Sequence, residues 1–121
     1  MRRSIFSLGL ICVANLFAAA AAAHAFLDHA IPPVGGTVSV PPKEIRLFFS
    51  EPIEPLFSTI ALASAGGQPI ETGPAAVAAA DHRQFVLSLP VLTAGRYKVT
   101  WHVVSVDSHP TEGSFTFEIK Q

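Results

Sequence analysis

The chain has 121 residues, 50% of them hydrophobic and 14% charged, with a formal net charge of −1. That length fits one domain, the apolar fraction excludes a disordered chain, and eight basic residues against nine acids give no field for nucleic acid. Ten prolines and eight glycines argue against a helical bundle, and a single cysteine excludes an internal disulfide and a multi-thiolate zinc site.

Met1, Arg2 and Arg3 form a short positive start, followed by an apolar run over residues 5–17 and small residues from Ala18 to Ala23. This is the three-part layout of a secretory signal peptide, and its apolar part is short for a membrane span. Residues 1–23 are therefore read as a signal peptide and 24–121 as the mature domain. The protein is expected in the periplasm, with no stable membrane insertion after cleavage. The small-x-small rule is met twice. Ala21-Ala22-Ala23 leaves His24 first, whereas Ala23-His24-Ala25 leaves Phe26 first. Met1 and Cys12, the only methionine and cysteine, leave with the signal either way.

Proline and glycine divide the rest into short segments. Pro32-Pro33 and Gly35-Gly36 close the first, and Pro41-Pro42 precede a strand over residues 44–50. A proline-containing link with Pro52 and Pro55 leads to a strand over residues 57–63. Gly66-Gly67 reads as a hairpin turn with a return over residues 68–71. Ala75 to Ala80 is the one helix-like stretch, too short between Pro74 and Asp81 for more than a turn or a short helix. Strands follow over residues 84–89, 96–105 and 114–120. Alternation is clearest there: Tyr97, Val99, Trp101 and Val103 share one face, and Lys98, Thr100 and His102 the other. Ile45, Leu47 and Phe49, and then Phe115, Phe117 and Ile119, repeat that period. About seven such strands predict an all-β, immunoglobulin-like Greek-key sandwich.

The chemistry rests on five histidines: His24, His29, His82, His102 and His109. There is no nucleophile elbow and no phosphate-binding glycine loop. Ser105, Asp107 and His109 make a triad on paper only, so no enzyme is expected. Asp107-Ser108-His109 is the strongest candidate site. In extended chain, Asp107 and His109 point to the same side and could share a divalent metal. The competing reading is a turn in which Asp107 accepts backbone hydrogen bonds and His109 is merely exposed. His24, as a first residue, offers an α-amine and a ring Nδ1 together. A free α-amine has a pKa near ~8, so metal displaces its proton easily at neutral pH. Three nitrogens with one oxygen form a donor set that suits Cu(II).

The chain resembles the CopC family of periplasmic copper-resistance proteins. The matching pieces are His24-Ala25-Phe26-Leu27, Pro32-x-x-Gly35, IRLFFSEPIEP at residues 45–55, and LTAGRYKVTWHVVSVDSHPTEGSFTFEIK at residues 92–120. The resemblance implies a β-sandwich holding one Cu(II) per chain, with His24 giving amine and ring nitrogen, and Asp107 and His109 the remaining ligands. Glu51 resembles an acidic residue near that site in some members; an exposed loop carboxylate is the competing reading. A protein that carries or buffers copper is the function implied, as a monomer, with an inner-membrane copper transporter of the CopD type as a partner. The methionine-rich Cu(I) loop of some members is missing. His29 departs from the family's small hydroxyl residues and reads as surface or as an accessory ligand. His102 reads as exposed and His82 as a loop residue. A small histidine-brace monooxygenase and a metal-free immunoglobulin-like module are the alternative functions.

Overall fold

A computed structural model describes residues 24–121, so the expected signal peptide lies outside the described residues. The strands in chain order are Leu27–Ile31 (β1), Thr37–Val38 (β2), Glu44–Phe49 (β3), Thr59–Ser64 (β4), Pro69–Ile70 (β5), Ala75–Ala78 (β6), Asp81–Ser88 (β7), Gly95–Val104 (β8) and Pro110–Ile119 (β9). A 3-10 turn at Pro55–Phe57 precedes β4. Seven of these strands have four residues or more, and β2 and β5 are two-residue additions.

Two sheets form. One has the order β1-β3-β7-β6 and the other β2-β9-β8-β4-β5. Their inner faces carry the side chains that alternation assigns there. Ile45, Leu47 and Phe49 of β3, Tyr97, Val99, Trp101 and Val103 of β8, and Phe115, Phe117 and Ile119 of β9 all belong to one buried cluster. Removing such side chains from water supplies about 1.5–3 kcal/mol each, so the period-2 pattern fixes which face of each strand turns inward. Trp101 stands directly opposite Gly113. A Cβ at Gly113 would lie 2.5 Å from the indole, so only glycine lets β9 pass under the ring.

Two expectations fail. Residues 75–78 are a strand, not a turn or short helix: Ala75, Ala76 and Val77 pair with Leu87, Val86 and Phe85. Six residues make a marginal helix at best, and the edge of β7 offers hydrogen bonds at once. For the same reason β7 begins early, at Asp81, and His82 sits on a strand rather than in a loop. Its carbonyl accepts from the Ile53 N–H at 3.0 Å, which ties the β3–β4 link to that strand.

Candidate metal centre

Asp107 and His109 lie in the loop joining β8 to β9. That segment is not extended. The Ser108 N–H donates to the Ser105 carbonyl at 2.9 Å, and the Ser105 N–H donates to the His109 carbonyl at 3.1 Å. Ser108 has φ of 71°, the left-handed position that closes a three-residue hairpin loop. The turn nevertheless brings the expected pair together: His109 Nδ1 is 3.2 Å from Asp107 Oδ2. Two donors about 2.0–2.1 Å from a metal, at right angles, lie about 3 Å apart, so this pair fits one ion.

Ser105 organises the loop. It is 1% exposed, and its hydroxyl donates to Asp107 Oδ1. The His109 N–H donates to the same hydroxyl oxygen at 3.3 Å. The Ser105 hydrogen bond holds the Asp107 carboxyl below the usual carboxylate range; partial loss of water opposes this, and His109 adds to the lowering. Among the described residues, His109 Nδ1 is shielded from water and makes no well-aligned hydrogen bond, its contact with Asp107 lying at 3.2 Å.

His24 reaches this loop from the far end of the sequence. Ser50 grips its segment: the Phe26 N–H donates to Ser50 Oγ at 2.9 Å, and Ser50 Oγ donates to the His24 carbonyl at 3.2 Å. The Ser50 N–H donates back to the Phe26 carbonyl at 2.8 Å. Thr111 Oγ1 donates to the Ala25 carbonyl at 2.7 Å, and Ala25 is fully buried. The His24 ring is thereby placed edge-on to His109, centroids 4.9 Å apart at 69°.

Glu51 is half-buried between these two halves. Ser50 before it holds the His24 segment, and the Pro52 carbonyl after it accepts from the Val106 N–H at 3.2 Å. Among the described residues, Glu51 makes no ion pair. His29 is elsewhere: it stacks on Phe48 at 4.0 Å and pairs with Asp28 at 2.9 Å on the outer face of β1 and β3. His102 points outward and pairs across the strands with Glu112 at 2.9 Å. Among the described residues, no three His, Cys, Asp or Glu side chains converge on one point. His109 meets His24 and Asp107 separately, so a full ligand set needs a donor beyond side chains, such as a free amine at residue 24.

The sequence reading missed Ser50, Thr111 and the role of Ser105. One signal was available for Ser105. It continues the inward parity of Trp101 and Val103, so it is a hydroxyl at a core position, and a buried hydroxyl needs partners.

Comparison with known proteins places the chain in a family. Residues 27–120 match the CopC domain. Protein YobA of Escherichia coli strain K12 is 40% identical over 99 residues, covering 81% of this chain and 80% of its own. Copper resistance protein C of Pseudomonas syringae pv. tomato is 38% identical over 117 residues, covering 92% of each chain. The crystal structure of CopC from Methylosinus trichosporium OB3b superposes with a TM-score of 0.75 at 33% identity, covering 80% of this chain and 94% of that one. With its two-sheet fold and the hairpin carrying Asp107 and His109, the chain belongs to the CopC domain family.

Proposed function

We propose that the exported chain begins at His24 and binds one Cu(II) through the His24 amine and imidazole, Asp107 and His109, carrying or buffering copper in the periplasm. The observation that carries this reading is the approach of the His24 ring to His109 at 4.9 Å, beside an Asp107 oxygen 3.2 Å from that same imidazole. Three nitrogens and an oxygen are a tetragonal donor set, and Cu(II) heads the divalent affinity order for such ligands. Residues 24–121 contain no methionine or cysteine, so a soft Cu(I) site has no ligands to use. The site is formed by exposed loops at one end of the sandwich, which suits capture and release of an ion. A membrane copper transporter is the class of partner that would receive or supply the metal, with this chain acting as a monomer and not as an enzyme.

The test is an intact mass of the exported protein followed by titration with Cu(II) and, under reducing conditions, Cu(I). A start at His24 and one tight Cu(II) per chain are expected. A start at Phe26, or Cu(I) binding as tightly as Cu(II), overturns the ligand set.

A further inference from the structure

We infer that Ser105 is a positioning residue that fixes Asp107 as a one-oxygen donor facing His109. This rests on the copper-binding reading above. Ser105 is one of two polar residues buried among the described residues, the other being Ser58. Ser58 has a structural use: it donates to the Glu54 carbonyl at 2.7 Å and accepts from the Val104 N–H at 3.0 Å. Ser105 points its hydroxyl at the candidate ligands instead. It donates to Asp107 Oδ1 and accepts from the His109 N–H at 3.3 Å. Its own N–H and carbonyl close the loop, at 3.1 Å to the His109 carbonyl and 2.9 Å from the Ser108 N–H.

The consequence is directional. Oδ1 already accepts from the hydroxyl, which leaves Oδ2 the freer oxygen for a metal, and Oδ2 lies 3.2 Å from His109 Nδ1. An exposed aspartate in a hairpin loop otherwise turns freely about its side-chain bonds, and ordering it on binding costs affinity. Ser105 makes that ordering part of folding. Because the hydroxyl is buried by the sandwich core, the orientation of a surface carboxylate is set from inside the fold.

The experiment uses the chain starting at His24 as wild type, Ser105→Ala, Ser105→Thr, Asp107→Ala and the Ser105→Ala/Asp107→Ala double variant. Cu(II) affinity is read by chelator competition at one pH, the copper environment by electron paramagnetic resonance, and folding by thermal melts. Ser105→Ala should weaken Cu(II) about tenfold, the scale of one hydrogen bond to a charged group. Its copper spectrum should shift, and Ser105→Thr should restore both. Ser105→Ala should cost nothing further once Asp107 is alanine, because it acts through that carboxylate. An unchanged affinity and spectrum in Ser105→Ala, or an equal loss in the Asp107→Ala background, overturns the inference. A metal-free readout separates it from the copper reading. Scalar couplings should show Asp107 in one χ1 rotamer in wild type and averaged in Ser105→Ala. Averaging in both overturns the positioning role even if copper binds, while one rotamer with no Cu(II) binding overturns the copper reading alone.

Discussion

The two halves of the candidate site are built in opposite ways. The hairpin half, residues 105–109, is mostly local: its donors are two residues apart and Ser105 bonds to Asp107, Ser108 and His109 within the loop, with the Val106 N–H to the Pro52 carbonyl as a tie outside it. The N-terminal half is held by contacts of long sequence separation, from Ser50 to His24 and from Thr111 to Ala25. The hairpin is completed by folding alone. On the proposed reading, the other half is completed only when the peptide bond before His24 is cut, since the amine does not exist until then. On that reading, a site divided this way stays short of its full donor set until the residues before His24 are removed.

Removing a donor from each half tests that division. His109→Ala takes an imidazole from the finished half and should cost about a hundredfold in Cu(II) affinity, on the order of 2.7 kcal/mol. Leaving one extra residue before His24 should cost at least about tenfold, about 1.4 kcal/mol, by separating the amine from the imidazole. Melting temperatures of metal-free protein should not move in the second case, because His24 contributes little to the core. Competition against a chelator measures both losses. Equal affinity for the extended and native forms would mean that the amine is not a ligand.

A smaller effect comes from the bonds that hold the N-terminal half in place. Thr111→Val keeps the shape and removes the hydroxyl that donates to the Ala25 carbonyl at 2.7 Å. One such bond contributes about 1 kcal/mol. The variant should lose roughly threefold to fivefold in Cu(II) affinity by that scale, and melt slightly lower. His82→Ala and His102→Ala serve as bystanders and should bind Cu(II) as wild type does. His102 lies on the outer sheet face with Glu112, and His82 on an exposed strand position.

The same division explains what could be read from the sequence. The sandwich was legible because strand faces follow a two-residue period, and every inward residue assigned on β3, β8 and β9 is buried. Asp107 and His109 were legible as a pair because they are close in sequence, although the geometry expected was extended and the loop is a turn. Ala75–Ala78 was misread because alanine's helix preference is weak against an open strand edge. The approach of His24 to His109 depends on Ser50 and Thr111, whose side chains resemble any surface hydroxyl until tertiary structure supplies their partners. Without the family resemblance, nothing local joins residue 24 to residue 109.

Acid sharpens the comparison with the least effect, because it acts on one exposed carboxylate of the finished half. In the metal-free fold, the Ser105 hydroxyl and His109 favour the charged form of Asp107, so its folded pKa is below the ordinary 3.8. A carboxyl lowered on folding contributes stability above its unfolded pKa and loses it as pH falls through the folded one. Asp107→Asn should therefore be less stable than wild type at pH 6. The gap in melting temperature should close as pH drops below about 4, the range of an unfolded aspartate. Asp81 provides a matched control outside the proposed ligand set, since the Arg83 backbone N–H and side chain lower its carboxyl in the same way. Both gaps should be small and should shrink with salt, because exposed pairs are screened. If the Asp107→Asn gap widened towards low pH, the carboxyl would be raised by the fold rather than lowered. The Ser105 hydroxyl would then be holding the protonated form, and the hairpin would not be ready for a cation.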